Sequence, residues 1–303
     1  MRVLETDGKG GVRVAQAKEP TIGRGQLLVE VSAVSVNRGE AGEVASAPAG
    51  RRPGWDFAGV VAAVDPGAAA AGGLPVGTRV CGFAGGGAWA QRIAVAADQV
   101  AAVPDAVSDG VAACLPVAGV TADRLLDRVR PLPGRTVVVT GATGAVGGFA
   151  VQLAAADGGR VIAVARRPEP SRRAARTVAA IHDIDNPVDV VLESVGGSSL
   201  QHAIDIVSPG GAVLSFGASG DEPASLPVFW FGRHHGSRLE GFNLFTELSA
   251  RPAGTTLTRL LGLVASGELS CPVAALRDWA EAASGSGQRL AADGIGKTVL
   301  AIS

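Results

Sequence analysis

Residues 136–167 constrain this chain more than any other stretch, because a strand, a glycine-rich turn, a helix and a second strand follow one another there without a break. Val137, Val138 and Val139 make the β-branched run that a buried parallel strand requires. The run ends at Thr140-Gly141-Ala142-Thr143-Gly144-Ala145-Val146-Gly147. From there Val146, Phe149, Ala150 and Leu153 recur at helical spacing, which predicts one apolar helix face over residues 145–156. Gly158-Gly159 closes that helix, and Val161-Ile162-Ala163-Val164 returns as the second strand of a βαβ unit.

Such a turn brings backbone N–H groups and a helix N-terminus against a pyrophosphate, where side chains would be in the way. The glycines fall at Gly141, Gly144 and Gly147, a G-x-x-G-x-x-G spacing rather than G-x-G-x-x-G. Taken alone, that spacing fits a tight turn with close helix packing as well as a dinucleotide site. Thr140, Gly141, Gly144, Ala145, Val146 and Gly147 are the candidate contacts. At the end of the second strand an NAD site carries a carboxylate for the ribose 2′-hydroxyl, whereas arginine suits a 2′-phosphate. Arg166 and Arg167 stand there, which points to NADP(H); two solvated arginines opening a helix are the alternative.

The rest of the chain is ordered around this unit. Residues 1–118 are strand-like, with strands predicted over 26–34, 55–64 and 76–83 and a strand pair within 88–103. Pro66-Gly67, Gly72-Gly73 and Pro75 mark turns, so an antiparallel, barrel-like β domain is expected. A helix is predicted from Ser108 to Val129. Beyond the βαβ unit come a helix from Ser171 to Ala179, a strand over 188–192, a helix over 200–207 and a strand over 212–216. That alternation predicts a doubly wound parallel sheet. A ligand of such a sheet sits at the strand C-terminal ends, so Ser194-Val195-Gly196 and Gly217-Ala218-Ser219 join the candidate site, unless they are simple strand-ending turns. A helix over 255–264 and a strand over 297–302 complete the chain. The expected domains are therefore 1–118, completed by 266–303, and a dinucleotide-binding domain over 119–265.

Composition narrows the function. A net charge of −1 over 303 residues offers no field for nucleic acid or an anionic membrane. Cys81, Cys114 and Cys271 lack C-x-x-C spacing, so neither a disulfide framework nor a zinc-finger-like lobe is indicated. With no signal peptide and no uncharged apolar run of about 18 residues, a soluble cytoplasmic protein is expected.

Ser35-Val36-Asn37-Arg38-Gly39-Glu40, Pro53-Gly54-Trp55-Asp56-Phe57-Ala58-Gly59-Val60-Val61 and the Gly141 turn, in this order, resemble the medium-chain dehydrogenase/reductase superfamily in its zinc-independent quinone-oxidoreductase branch. The resemblance spans nearly the whole chain. It implies an α/β fold made of a GroES-like β-rich barrel domain plus a Rossmann domain with a doubly wound parallel sheet. Relatives bind NADPH between the domains and reduce quinones, enones or enoyl thioesters, usually as homodimers. The zinc-dependent members have a cysteine and a His-Glu pair where this chain has Asn37 and Trp55-Asp56, and neither Asn nor Trp supplies those ligands. No catalytic metal is expected, and an already conjugated acceptor is the substrate that remains.

The chain also has no tyrosine, which excludes the tyrosine-dependent proton transfer of short-chain and aldo-keto reductases. Many quinone oxidoreductases have a tyrosine near the position of Gly42, so the carbonyl-polarising group is left open. By resemblance, Asn37 would donate its amide near the nicotinamide or the substrate oxygen, or else cap a strand end. Thr121 would contact cofactor at the opening of its helix, or cap it. The aromatic stretch from Val228 to His235, with Trp230 at its centre, would roof the acceptor site or pack a core. Phe242, Asn243 and Lys297 resemble positions beside the cofactor. Asp56 would fix a loop or make a buried structural hydrogen bond, and Arg38 and Glu40 would pair on the surface. Two other readings stay open: a cofactor-binding protein without turnover, and a non-redox cyclase or isomerase on the same scaffold.

Overall fold

The computed structural model describes residues 1–70, 73–167, 173–220, 222–226, 229–271, 273–283, 290 and 296–303. The expected turn residue Gly72, the start of the helix predicted from Ser171, and Val228 of the aromatic stretch lie outside the described residues. Two compact units divide the chain, Met1–Val120 with Phe245–Ser303 and Thr121–Leu244.

The first unit begins with an antiparallel hairpin of β1 (Arg2–Thr6) and β2 (Val12–Gln16). Its central strand is β3 (Gln26–Ser35), where alternate side chains are buried, as a strand with one core face requires. β4 (Asp56–Val64) pairs antiparallel with β3, and β5 (Arg79–Phe83) pairs antiparallel with β4. β6 (Arg92–Ala96) lies on β3 and β7 (Val100–Ala102) on β5, so the expected strand pair does not pair with itself. β5 starts later than predicted because Pro75–Thr78 forms a turn, with Gly77 at φ +87°. The core gathers Leu27, Val29, Phe57, Val61 and Val80 from these strands and Trp89 from the bend before β6.

The single helix predicted from Ser108 is three pieces. An α-turn at Asp109–Ala112 gives way to a π-helical turn at Leu115–Gly119 and then to α-helix at Val120–Asp127. Pro116 has no N–H to give the α ladder, which accounts for the wider turn.

In the second unit β8 (Thr136–Thr140), β9 (Arg160–Val164), β10 (Arg176–Val178), β11 (Val188–Glu193), β12 (Val207–Ser215) and β13 (Arg238–Gly241) form one sheet in the order β10-β9-β8-β11-β12-β13. Every pairing is parallel. Helices Ala145–Ala156 and Gly197–Ile206 make the crossovers that parallel strands need. The helix predicted up to Ala179 is corrected here: residues 176–178 are a strand on the edge next to β9, and Ala165 N–H donates to Val178 O. Edge pairing overrides the helix propensity of Ala174 and Ala175.

The chain then returns to the first unit through helix Gly254–Ala265, β14 (Val273–Asp278) and β15 (Lys297–Ala301). β15 pairs antiparallel with β3. Helix Gly254–Ala265 packs against β7 and the π-helical turn, so it belongs with the first unit rather than with the dinucleotide domain expected for it. No helix among the described residues is long and apolar enough to cross a membrane.

Candidate functional site

In the second unit the candidate residues converge on the C-terminal ends of β8, β11 and β12. Gly141 has φ +61°, a conformation only glycine adopts freely, and turns the chain off β8. A Cβ at Gly147 would lie 2.3 Å from Gly141 O, so the helix can approach the turn this closely only because the side chain is absent. Gly144 is the N-cap of helix Ala145–Ala156, with no capping side chain. Its first-turn N–H groups, from Ala145, Val146 and Gly147, have no partner in the helix, which leaves positive dipole ends for an anion.

A wholly buried carboxylate fixes the neighbouring loop. Glu193 at the end of β11 accepts from Val195 N–H and Gly196 N–H, each at 2.9 Å, and from Ser199 Oγ at 2.9 Å. Thr140, also buried, accepts from Ser194 N–H at 2.8 Å through Oγ1, and Ser194 Oγ donates to Thr140 O at 3.2 Å. Gly217 and Ala218 follow β12 beside this loop, where Ser219 N–H donates to Ser194 O. Thr140, Gly141, Gly144–Gly147, Ser194, Val195, Gly217 and Ala218 thus share one sheet end. Arg166 and Arg167 are exposed just beyond β9.

Other predicted residues of this unit sit differently. Trp230 donates Nε1–H to Ile204 O at 2.8 Å, stacks on His234 at 5.0 Å and packs against the sheet core, so its indole is committed to packing. Phe229 beside it is exposed. Phe242 is buried, with the Arg128 guanidinium over its ring, and Asn243 is exposed after it. Thr121 is buried inside a continuous helical run rather than at its opening, so it caps nothing there.

The first unit holds a buried polar cluster drawn from four separate segments. Asp56, at the start of β4, accepts on Oδ2 from Ser35 Oγ at 2.6 Å, Asn37 Nδ2 at 2.9 Å and Lys297 Nζ at 2.9 Å. Its Oδ1 accepts from Val117 N–H at 2.8 Å. Glu40 accepts on Oε2 from Asn37 N–H at 2.6 Å and from Asn37 Nδ2 at 3.1 Å, and on Oε1 from Trp55 N–H at 2.5 Å. Lys297 Nζ also donates to Asn37 Oδ1 at 2.7 Å. The surface pairing expected of Arg38 and Glu40 is corrected by this: Glu40 is wholly buried and faces inward as the N3 residue of helix Arg38–Ser46.

Two carboxyls and one ammonium give the cluster an excess of acid. Burial, and after it the negative charge of Asp56, pushes the Glu40 carboxyl up to about 8. Burial is the largest single influence on the Lys297 ammonium and would lower it, but Asp56, Cys114 and Glu40 together outweigh it and raise the amine above its ordinary range. Both N–H bonds of the Asn37 amide are taken by carboxyl oxygens of Glu40 and Asp56, so the donor role expected of Asn37 would require one of them to break.

Beside the cluster, the rings of Trp55 and Phe83 meet Phe245 edge-on at 5.0 and 5.3 Å. Gly42 has nothing within 4 Å of where a Cβ would stand. Cys271 hydrogen-bonds with Cys114, a contact nothing in their spacing announced.

The donor set here does not suit zinc. Trp55 has no ligating atom, the Asn37 amide is saturated, and an ammonium stands against the one carboxylate oxygen that Asn37 shares. The second unit does suit a dinucleotide, because the space beside the Gly141 turn is cleared of side chains.

Residues 23–105 match the alcohol dehydrogenase GroES-like domain, and residues 145–253 match the family described as zinc-binding dehydrogenase. The chain is 30% identical, over 92% of its length, to a mycocerosic acid synthase-like polyketide synthase of Mycobacterium tuberculosis, of which it spans only 14%. Among solved structures it is similar to a mycobacterial quinone oxidoreductase, with a TM-score of 0.83, 24% identity and 99% of each chain covered. It is also similar to mycobacterial Rv1454c complexed with NADPH, with a TM-score of 0.81, 25% identity and coverage of 99% and 100%. The chain belongs to the medium-chain dehydrogenase/reductase superfamily, with zinc-independent quinone oxidoreductases as its structural neighbours.

Proposed function

We propose that this oxidoreductase uses NADPH, without zinc, to add a hydride to a conjugated acceptor, either a quinone, an enone or an enoyl-type C=C. The observation that carries this reading is the Gly141 turn, whose glycines clear a helix N-terminus for a pyrophosphate. Bound NADPH supplies the hydride. The chain's own part is to hold the pyrophosphate on the N–H groups of Ala145, Val146 and Gly147, and the 2′-phosphate on Arg166 and Arg167. Ser194 and Val195, held by Glu193 and Thr140, line the same sheet end as the turn. NADPH in Rv1454c and the similarity of the chain to the CurK enoyl reductase support the cofactor and the acceptor class. Association as a homodimer is part of the proposal, with Leu239 on the edge strand β13 exposed for it.

The test is oxidation of NADPH, with NADH in parallel, by chelator-treated protein offered an ortho-quinone, a simple enone and an enoyl thioester. Turnover with NADPH, little with NADH and no loss on chelation is the expected result. NADPH binding without reduction of any acceptor would favour a cofactor-binding protein without turnover.

A further inference from the structure

We propose that Lys297, rather than Asn37, meets the carbonyl oxygen of the acceptor and stabilises the negative charge that hydride addition places on it; this rests on the reductase reading above. An ammonium has three N–H bonds. Two of them go to Asn37 Oδ1 and Asp56 Oδ2, and the third has no acceptor among the described residues. The Asn37 amide has no spare N–H, Asp56 only accepts, and the Glu40 carboxyl is wholly enclosed, with both of its oxygens already facing Asn37 and Trp55 N–H groups. Lys297 is therefore the member of the cluster with a donor to offer.

Its placement fits that use. Glu40 and Asp56 are 0% exposed, whereas Asn37 and Lys297 keep 8% and 3%, so these two are the members of the cluster that are not wholly enclosed. Asp56 is itself held by Ser35 Oγ and Val117 N–H, which makes it a fixed support that positions the amine. The other titratable groups that face the amine are Glu40, Cys114 and Cys271. A fixed cation aimed at a developing oxyanion costs no reorganisation at the moment of reaction. The chain has no tyrosine to do this work.

The step balances as follows. Hydride adds to the β-carbon, the C=C pair becomes a new double bond between the α-carbon and the carbonyl carbon, the carbonyl pair moves to oxygen, and an enolate forms beside the ammonium. The nicotinamide loses two electrons and the acceptor gains them. One proton from solvent then reaches the α-carbon, so hydride and proton together saturate the C=C. A quinone instead yields a hydroquinone anion, whose charge is spread over an aromatic ring. That anion is far less basic than an enolate and needs less help.

This contrast provides the test. Lys297→Met, Lys297→Arg and the charge-balanced pair Lys297→Met with Asp56→Asn are compared with the parent on a simple enone and an ortho-quinone. Since loss of one oxyanion donor costs about 100-fold in turnover, the enone rate in both Met variants should fall by roughly that factor, and by at least about tenfold more than the quinone rate. Lys297→Arg should recover part of the enone rate. Independently of turnover, 4-nitrophenol serves as an oxyanion probe, read from its visible phenolate band. Bound to the parent it should ionise at lower pH than free in solution, and the Met variants should abolish that shift. Equal losses on both acceptors, or a phenol titration that is unshifted in the parent or unchanged in the variants, would overturn the assignment. If the parent reduces no acceptor the reductase reading fails, and the phenol titration still decides the role of Lys297.

Discussion

The glycine turn of the second unit and the polar cluster of the first solve opposite problems. The turn works by absence: Gly141 and Gly147 remove side chains so that backbone N–H groups face outward, and its members lie within eight consecutive positions. The cluster works by excess: two carboxyls, an amide, a hydroxyl and an ammonium are buried where an apolar core would otherwise stand, and Lys297 is 260 residues from Asn37. One is a local solution held within a single strand–turn–helix; the other ties the last strand of the chain to the end of β3 and the start of β4. Breaking the cluster should therefore be read first as lost stability, and breaking the turn first as lost cofactor binding.

The largest effect is expected from Asp56→Ala. It strands the Lys297 ammonium and leaves Ser35, Asn37 and Val117 without their acceptor. Breaking a buried pair by removing one partner costs about 3–5 kcal/mol, which denaturant unfolding would read directly. An Asp56→Ala variant as stable as the parent would mean that the cluster does not hold the strands together.

Gly147→Ala comes next. Its Cβ would collide with Gly141 O at 2.3 Å and Gly141 C at 2.8 Å, so the helix has to draw back from the turn. Overpacking of this kind costs about 1–3 kcal/mol. NADPH affinity should drop by about tenfold or more, since N–H groups a fraction of an ångström out of place lose much of their hydrogen bonding. Unchanged binding would show that the cofactor does not use this turn.

Glu40 gives the comparison a pH axis. Its folded-state carboxyl, at about 8, lies above the ordinary 4.5, so protons bind the folded state more tightly. The stability this contributes is complete below the ordinary value and is lost as pH rises towards 8. Lys297, shifted upward from 10.5, contributes no slope in that window. The melting temperature should therefore fall between pH 5 and pH 8, a span of about three units over which a raised carboxyl titrates. Glu40→Gln should flatten the slope. It should also cost about 1–3 kcal/mol, because the amide end of Gln opposes either Trp55 N–H or the Asn37 donors.

The same contrast explains what was legible in the sequence. The βαβ unit could be read because its strand, turn and helix carry their signals in adjacent residues, and the structure places β8, the helix and β9 within a residue or two of the expectation. Asn37, Asp56 and Lys297 were each singled out, but only resemblance did so, and nothing in their spacing shows that one oxygen of Asp56 receives all three neighbours. Helix Arg38–Ser46 went unseen because Gly39 and Gly42 dilute its apolar face. The available signal was Asn37 followed three positions later by Glu40, the spacing of a helix start. For Trp230 the sequence leaves two readings open for a different reason. An aromatic concentration signals packing as readily as a binding site, and in the structure the indole is partly buried against the sheet core with its N–H on Ile204 O.

The smallest effect on the fold, and the sharpest on the cofactor, is expected from Arg166→Ala with Arg167→Ala. Both side chains are exposed beyond β9, so unfolding should shift by no more than about 0.5 kcal/mol. If they face a 2′-phosphate, NADPH affinity should fall about tenfold, equivalent to about 1.4 kcal/mol, while NADH affinity stays level. Because an exposed arginine–phosphate contact is screened by salt, the difference between the two cofactors in the parent should narrow as ionic strength rises. In the double variant it should no longer respond to salt. A preference for NADPH that survives the double substitution would place the 2′-phosphate elsewhere on the unit and separate the turn, which holds what the two cofactors share, from whatever distinguishes them.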